Sequence, residues 1–415
     1  MTPARSLAVL FALAVMVTPR AHAQQEENNG PDRLSSARIE GLTTARRAAW
    51  TTYVARSRQL RSRDSASMAA ELVAVGRTTM SKAPYAGPNF DLARRSDAWL
   101  KSDSARIIGE AVISFQTPSG GWSKRTDMTR TRPAGTSYYA ETESWHYIPT
   151  FDNGATTGQM RFMTALAARH IDSRFASAFN RGLELLLAAQ QPNGCWPQSF
   201  PLDGGYHDAI TFNDDTNVLI LELLGEVAAG KIDLATATQK RIAGESVRRG
   251  IACLVAVQVV VNGQPTVWGQ QHDPITLEMV AARSYELAGL SGKESAAVMT
   301  YLMSLEKPDA TVVRAVHGAA AWFRAHVLKG WRYDGFGLRE DSSAAKPIWA
   351  RLTEVSSDKP IFANRDGITL YDWNKLTDRR TGYAWFSTEP AEALRTYESW
   401  AREHPPTSQG EKDHE

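Results

Sequence analysis

Two short stretches of the chain place paired oxygen ligands directly before apolar helical segments. The first holds Asp152 and Asn153 in FDNGATTGQM, and the second holds Asp214 and Asp215 in ITFNDDTNVLI. Ca²⁺ prefers carboxylate and amide oxygens, and a helix start gathers unpaired backbone groups in one small volume. Helix capping by Asp and Asn is the simpler explanation for either pair alone. Taken together, the two pairs indicate a calcium site.

Composition and charge limit the classes of partner. With 415 residues and 43% hydrophobic content, the chain can bury a large core as one big domain or two ordinary ones. Its formal charge of +2 falls to 0 without residues 1–23, because Arg5 and Arg20 leave and no acid does. Nothing in this balance suggests nucleic acid or an anionic membrane as a partner. An acidic substrate would therefore need a local arginine cluster.

The N-terminus is typical of a signal peptide. Arg5 precedes the apolar run SLAVLFALAVMV, and Ala21-His22-Ala23 forms a small-x-small cleavage site before Gln24. The apolar run is too short to span a bilayer, and no other run is longer. We therefore expect residues 1–23 to be removed and the mature protein to be soluble, either secreted or periplasmic.

Apolar residues recur at helical spacing along most of the chain, and several segments begin at Ser, Thr or Asp as capped helices do. The predicted helices are TTARRAAWTTYVAR, SASMAAELVAVGRTTM, SDAWLKSDSARIIGEAVISFQ, DSRFASAFNRGLELLLAAQ, TNVLILELLGEVAAG, ATATQKRIAGESVRRGIACLVAVQ, ESAAVMTYLMSLE, DATVVRAVHGAAAWFRAHVL and TEPAEALRTYESWARE. Strand patterns are few, and ITLYDW is the strongest. The sequence predicts an all-α fold class.

A repeat of about seventy residues organises these helices. A helix end followed by Gln, a turn and Trp recurs at Trp122, Trp196 and Trp268, and a weaker fourth copy ends at Trp331. Such a period holds two helices and two loops, the unit of an (α/α) toroid of helical hairpins with long loops at the active-site end. We expect Trp331 to pack under a loop, and at least one of the other three tryptophans to face substrate or the rim.

The two cysteines, Cys195 and Cys253, are too few for a disulfide framework in a chain of this length. They could pair in an oxidising compartment. The sequence leaves open whether they do.

Seven segments appear in the order found in the family 10 pectate lyases, which the chain therefore resembles. They are GGWSKRTDM, FDNGAT, NGCWPQSFP, ITFNDD, WGQQHDP with ARSYEL, PIWARL, and NRDGI with RRTGYAW. The resemblance implies a catalytic domain over residues 96–402, with residues 24–95 as helices packed on it and residues 403–415 as a flexible tail. One departure is Cys195, where the family usually has glycine.

The resemblance implies β-elimination in α-1,4-linked polygalacturonate, assisted by calcium. Asp152 and Asp214 match the metal ligands, with Asn153 adjacent, while Asp215 is either a ligand or the cap of the following helix. Too few protein oxygens are present to fill a calcium shell, so substrate and water must supply the rest. The protein is expected to act as a monomer.

Arg283, in AARSYELAGL, matches the family's catalytic base. Arginine normally stays protonated, so this role requires that burial and nearby cations disfavour its charged form. The alternative is an arginine that merely pairs with Glu286 or Glu278. His272 and Lys124 are the competing bases on pKa grounds.

Arg351 in IWARL and Arg365 in NRDGI are candidates to bind substrate carboxylates, because the guanidinium fork matches a carboxylate. Lys124, Asn153 and His272 complete the predicted substrate-binding set.

Two other function classes remain open on the sequence. A glycoside hydrolase acting on uronic acids on an α/α toroid would use the two aspartates as an acid and a base or nucleophile. A non-catalytic protein on the same scaffold would bind polygalacturonate without shortening it.

Overall fold

The computed structural model describes residues 32–86, 90, 92–140, 149–344 and 346–406. The expected signal peptide at residues 1–23 lies outside the described residues, as do residues 407–415 of the expected tail. Within the described ranges, no helix combines the length and the apolar character needed to cross a membrane.

Helices make up most of the regular structure. The α-helices are α1 (Ser36–Glu40), α2 (Thr44–Ala74), α3 (Asp97–Leu100), α4 (Asp103–Ser114), α5 (Thr157–Ala167), α6 (Ser173–Ala189), α7 (Thr216–Ala228), α8 (Ala237–Ala256), α9 (Gly292–Met303), α10 (Ala310–Ala325) and α11 (Glu389–Glu403). Short 3₁₀ turns lie at Asp152–Gly154, Gly205–Asp208, Asn213–Asp215 and Trp373–Lys375.

The predicted helices are found with two changes of boundary. The first two predicted segments form the single helix α2, since no Gly or Pro interrupts residues 44–74. The third is divided between α3 and α4, where the Ser102 hydroxyl accepts the backbone N–H of Ala105 and starts a new helix.

Helices pack in pairs around one core. Helix α5 packs on α6, α7 on α8, and α9 on both α10 and α11, while α7 also lies beside both α5 and α9. The long helix α2 shares this core through Trp50 and Tyr53, and the Tyr53 hydroxyl donates to the carbonyl of Ala189 at 3.0 Å. A second apolar cluster lies under the C-terminal loops, around Trp373 and Trp385.

The all-α prediction is wrong, because the loops between these helices pair as short antiparallel strands. The strands of the described residues are β1 (Ile210–Thr211), β2 (Val260–Val261), β3 (Gln264–Pro265), β4 (Gln271–His272), β5 (Leu290–Ser291), β6 (Trp331–Tyr333), β7 (Leu338–Glu340), β8 (Trp349–Ala350), β9 (Leu352–Thr353), β10 (Phe362–Ala363), β11 (Thr369–Leu370) and β12 (Phe386–Ser387). They pair as β1–β4, β2–β3, β5–β9, β6–β7, β8–β12 and β10–β11.

These strands satisfy the backbone groups of buried loops. For example, Ile210 lies opposite His272 and Thr211 opposite Gln271, and all four residues are buried. Backbone N–H and C=O groups without water must find partners, and neighbouring loops provide them. Two or three residues are too few to show the alternation that identifies a strand in a sequence. Only part of the predicted strand ITLYDW pairs, at Thr369–Leu370.

The repeated tryptophans are structural anchors. The indole N–H groups of Trp122, Trp196 and Trp268 donate to the carbonyls of Val112, Leu186 and Leu254 at 2.8, 2.8 and 2.7 Å. All three rings are fully buried, so the prediction that one of them faces substrate or the rim is wrong. A buried indole needs a partner for its N–H, and the preceding helix provides the carbonyl.

The fourth copy of the repeat ends at Trp349 rather than at Trp331. The indole of Trp349 is buried and donates to the carbonyl of Phe323 at 2.7 Å, as in the other three copies. Trp331 is half-buried in β6. The spacing misled the sequence analysis because a longer loop separates the last helix from its tryptophan.

Each repeated glutamine joins two neighbouring hairpins. The side-chain amide of Gln116 donates to the carbonyls of Gly120, in its own turn, and Ala178, in α6. Gln190 bonds in the same way to Gly194 and Ser246, and Gln258 bonds to Thr266 and Ala315. We call these three residues the glutamine staples.

Cys195 and Cys253 form a disulfide bond. The bond ties the turn before Trp196 to helix α8. Gly194 in this turn keeps a positive φ of 103°, close to the 114° of Gly120 in the first repeat. Cysteine in place of the family's glycine therefore leaves the turn unchanged.

Candidate active site

Two turns with nearly the same backbone hold the predicted calcium ligands. In the first turn, Asp152–Gly154, Asn153 has a left-handed φ of 53°; in the second, Asn213–Asp215, Asp214 has a φ of 49°. The hydroxyls of Thr150 and Thr211 accept the backbone N–H two residues on, at 3.2 and 3.3 Å. A shift of 61 residues relates the turns, so that Asp152 corresponds to Asn213 and Asn153 to Asp214.

The side-chain amide of each turn donates a hydrogen bond to the carboxylate of the other turn. The Asn153 Nδ2 group donates to Asp214 Oδ2 at 2.9 Å, and Asn213 Nδ2 donates to Asp152 Oδ1 at 3.4 Å. Asn213 Nδ2 also lies 3.0 Å from Asp214 Oδ2. The two carboxylates therefore face one small volume, as the sequence predicts.

Capping does not explain these polar residues. Asp215 occupies the N-cap position of α7 in a left-handed conformation, but it makes no side-chain capping bond. Thr156, at the N-cap of α5, makes none either. Burial raises the pKa of Asp215 to about 6, with Glu294 adding to the effect.

The two carboxylates lie in different electrostatic surroundings. Burial favours a raised pKa for Asp152, but the ammonium group of Lys124, which forms an ion pair with it, outweighs burial and lowers the pKa. The pKa of Asp214 is raised by burial and by the charge of Asp152. Lys293 Nζ lies 3.5 Å from Asp214 Oδ1.

Arg283 is held by a buried acid. Its Nε and Nη2 atoms donate to the two carboxylate oxygens of Glu286 at 2.7 and 2.5 Å. Burial lowers the pKa of Arg283, but the charge and hydrogen bonds of Glu286 outweigh burial, so the pKa lies above its usual range. About a quarter of the side chain, 24%, stays exposed. The pairing foreseen as the alternative is therefore present.

Arg351 is buried within the protein. Its Nη2 atom donates to Asn213 Oδ1 at 2.8 Å and pairs with Glu294, and its guanidinium lies 4.1 Å from the ring centre of Tyr383. Burial would lower its pKa, yet Glu294 keeps the pKa above the ordinary value. A substrate contact by Arg351 stays a prediction, and the structure adds that this cation positions Asn213.

Arg365 lies on an exposed turn beside the Arg283 segment. The backbone of Gly367 in this turn approaches Ser284, where an added Cβ would lie 3.4 Å from the Ser284 carbonyl oxygen. The backbone N–H of Arg365 donates to Asp378 Oδ2 at 3.2 Å. The turn is therefore fixed, and the role of Arg365 in binding substrate stays a prediction.

His272 is a structural residue, which corrects its place in the predicted substrate-binding set. The ring is fully buried; Nδ1 lies 2.9 Å from the Leu277 carbonyl oxygen, and Nε2 accepts the backbone N–H of Gly269 at 3.0 Å. Burial lowers its pKa to about 4. With both nitrogens occupied and no exposed surface, the ring cannot reach a substrate in this structure.

The sequence analysis missed the neutral polar side chains of this site, Asn213, Gln270 and Tyr383, and also the charged Lys293 and Glu294. Gln270 Nε2 donates to Asn213 Oδ1 at 2.7 Å and lies 3.3 Å from Glu286 Oε1, while the Tyr383 hydroxyl donates to Gln270 Oε1 at 3.1 Å. The only signal for Asn213 was its place in NDD, next to a predicted ligand. No spacing rule points to Gln270 or Tyr383.

A cavity of about 790 Å³ opens beside the acids. Asn153, Asp214 and Lys293 line it, and Arg161 lines a more distant part. The residues described here contain no group of three or more His, Cys, Asp or Glu side chains suited to a metal. The site therefore presents the Asp214 carboxylate, the Asn153 amide and the Lys293 ammonium group to an open cavity, with Asp152 buried behind them.

Comparisons with known proteins agree with this chemistry. A family profile described as pectic acid lyase matches residues 116–394. A structure of a family 10 polysaccharide lyase from Cellvibrio cellulosa is 28% identical, with a TM-score of 0.65 over 77% of this chain and 100% of that chain.

An alanine mutant of a family 10 polysaccharide lyase from the same organism, in complex with trigalacturonic acid, is 27% identical, with a TM-score of 0.64 over 74% of this chain and 96% of that chain. Comparison with curated proteins gave no match. Because the family profile spans most of the chain, including both turns and all the arginines discussed above, the chain belongs to the pectic acid lyase family.

Proposed function

We propose that this pectic acid lyase cleaves the α-1,4 linkages of polygalacturonate by β-elimination, with calcium held between Asp152 and Asp214. The observation that carries the proposal is the crossed pairing of the two turns, which directs two carboxylates into one volume beside Arg283. The family match and the trigalacturonic acid complex of a related lyase support a uronate polymer as the substrate.

The chemistry explains why positive charge is needed. The C5 proton of a galacturonate becomes acidic only when the neighbouring C6 carboxylate is neutralised, and its loss gives an enolate-like intermediate that expels the 4-oxygen. A bound calcium ion would supply this neutralisation as a Lewis acid. The protein's own cations, Lys124, Lys293 and Arg283, surround the same volume and favour the same charge.

The donor atoms fit calcium. Asp152 and Asp214 provide hard oxygen ligands, and the Asp214 side chain is 30% exposed towards the cavity. Lys124 and Lys293 already balance the two carboxylates, so the protein alone offers only a partial shell. This fits an ion shared between the protein and a substrate carboxylate.

Arg283 remains the proposed base, and its ion pair with Glu286 is the main obstacle to that role. Glu286 keeps Arg283 protonated, so proton uptake would require that this ion pair loosen and that a bound cation disfavour the charged guanidinium. If the pair persists, Arg283 acts as a cation that stabilises the developing charge. Lys124, paired with Asp152, is then the next candidate for the base.

A hydrolytic alternative uses the same two carboxylates. A glycoside hydrolase needs one protonated acid and one ionised base or nucleophile, and the raised pKa of Asp214 and the lowered pKa of Asp152 fit those two roles. Elimination is favoured over hydrolysis by the match to the pectic acid lyase family.

A product assay separates the possibilities. Purified protein is incubated with polygalacturonate, with added calcium and then with excess chelator, while ultraviolet absorbance and chain length are followed. Elimination gives an absorbing unsaturated end that depends on calcium. Chain shortening without absorbance would indicate hydrolysis, and unchanged chain length would indicate a binding protein.

Export of the protein and its monomeric state are two further parts of this proposal. Export to the periplasm or medium rests on the N-terminal pattern of residues 1–23. A monomeric state rests on the resemblance to the family. Size-exclusion chromatography with light scattering tests the second, and sequencing of the mature N-terminus tests the first.

A further inference from the structure

Two neutral amides link the charged groups of the site. Asn213 and Gln270 are both buried, and neither belongs to the residues that the sequence assigned to metal or substrate. Asn213 contacts Asp152, Asp214, Gln270 and Arg351. Lys124, Glu286 and Glu294 each lie one further hydrogen bond or ion pair away, and Arg283 lies beyond Glu286.

The direction of the hydrogen bonds is fixed at one end by Arg351. A guanidinium can only donate, and Arg351 Nη2 lies 2.8 Å from the side-chain oxygen of Asn213. The oxygen of Asn213 must therefore be the acceptor. Its NH₂ group is left to face the two carboxylates, which can only accept when ionised.

The same direction holds at Gln270. The Tyr383 hydroxyl lies 3.1 Å from Gln270 Oε1, which leaves the Gln270 NH₂ group to donate to Asn213 Oδ1 at 2.7 Å. This NH₂ group also lies 3.3 Å from Glu286 Oε1, the acid that holds Arg283. Donors thus point from Tyr383 through Gln270 and Asn213 towards the acids.

We infer that Asn213 and Gln270 form a directed amide relay, in which Asn213 is a positioning residue that holds the Asp152 and Asp214 carboxylates for their ligand role. The inference rests on the proposed function. The relay adds hydrogen bonds without adding charge, so it orients the acids without competing with a cation for them. Through Glu286 it also connects the carboxylates to Arg283, which keeps base and acids in one rigid unit.

Two substitutions at Asn213 separate this role from simple packing. Asn213→Ala removes both the oxygen that accepts from Arg351 and Gln270 and the NH₂ group that donates to the acids. Asn213→Asp keeps the acceptor for Arg351 and Gln270 but cannot donate to the acids. If Asn213 only supports Arg351, the Asp variant restores what the Ala variant loses. If the relay orients the acids, both variants fail.

We expect Asn213→Ala to weaken calcium binding about tenfold or more, measured by calorimetry with calcium chloride alone, as for partners that orient metal ligands. At saturating calcium, both variants should lower kcat by about tenfold or more while KM changes little, since the error lies in geometry at the reacting atoms. Asn180→Ala is the matched control, because Asn180 Nδ2 donates only to the Ala176 and Leu234 carbonyls in the described structure. It should lower Tm and leave calcium affinity and kcat unchanged.

Rescue of kcat by Asn213→Asp, or wild-type calcium affinity in Asn213→Ala, would overturn the relay. Failure of the proposed function looks different. In that case the wild-type protein itself forms no unsaturated product.

Discussion

The two ligand turns are copies of one backbone in which the order of acid and amide is reversed. The first turn reads Asp152-Asn153 and the second Asn213-Asp214, with left-handed φ values at the second residue of each. The first two positions of each turn hold one carboxylate and one amide, in opposite order. This reversal lets each amide donate to the acid of the other turn, so that two loops distant in sequence form one unit.

The two turns differ in what surrounds them. Asp152 is buried against Lys124 and feels the charge of Arg283, whereas Asp214 faces the open cavity, and feels Lys293 and Arg351. The first carboxylate is thus anchored in the protein and the second is available to a ligand. Two turns of nearly the same backbone therefore hold carboxylates in different surroundings.

The largest expected effect tests this division. Asp152→Ala should abolish nearly all turnover and also lower the free energy of unfolding by about 3 kcal/mol, because the buried ion pair between Lys124 and Asp152 would be broken. Asp214→Ala should abolish turnover with little change in Tm, since its carboxylate is partly exposed. Turnover and thermal melts of both variants are measured side by side. Equal losses of Tm, or wild-type activity of either variant in chelator, would contradict the division.

The next effect separates the arginines that face the two turns. Arg283→Ala should remove nearly all of kcat with KM similar, and Arg283→Lys should keep some activity that rises with pH if this position acts as a base. Arg351→Ala should instead destabilise the fold by about 3 kcal/mol, because Glu294 would be buried without its partner. A rise in KM alone for Arg283→Ala would make it a binding residue.

A smaller effect compares the glutamine staples that precede the two turns. Gln116→Ala and Gln190→Ala each leave two buried carbonyls without their donor, which costs about 1–3 kcal/mol. The loss should be smaller for Gln190→Ala, because the disulfide between Cys195 and Cys253 ties the same turn to helix α8. Denaturant unfolding of both variants, with and without reductant, measures the difference. It should narrow on reduction, and the part that remains reflects Gln116 Oε1, which accepts from Arg181, whereas Gln190 Oε1 accepts from the Ser246 hydroxyl.

A last effect, on the pH dependence of stability, concerns the loop that enters the second turn. Asp208 is buried, and burial raises its pKa to about 7, against hydrogen bonds from the backbone of Gly204 and Asp203. The unfolded chain loses this proton near its ordinary pKa of about 4, so the folded state binds it more tightly. This group's contribution to stability should therefore be full below pH 4, fall as the pH rises towards 7, and then stay level. Asp208→Asn should flatten that part of the stability curve, and an unchanged curve would contradict the assignment.

Sequence patterns predicted the parts of this site that carry charge at recognisable spacing. The two acid turns and the pairing of Arg283 with Glu286 could be read from motifs and short separations. Asn213, Gln270 and Tyr383 could not, because a neutral amide has no spacing rule and its partners lie far along the chain. His272 was misassigned for a related reason. Its burial depends on how loops distant in sequence pack over it, and the sequence pattern does not show that packing.

The fold shows the same limit. Helical periodicity identified the long helices, because each repeats its apolar pattern over several turns. The strands of two or three residues between them leave no recognisable pattern in the sequence, and the all-α class was wrong for that reason. The tryptophan repeat correctly marked the hairpin unit, but the fourth anchor lies at Trp349, beyond a loop whose length no repeat could predict.

The glutamine staples also affect how this protein unfolds. Each one belongs to a turn between helices, yet one of its two acceptors lies in the second helix of the next hairpin: Ala178 in α6, Ser246 in α8 and Ala315 in α10. Stacked repeats often open one unit at a time from their ends. Here an opening hairpin would break a bond in its neighbour, so hydrogen exchange should show the three hairpins opening as one cooperative unit.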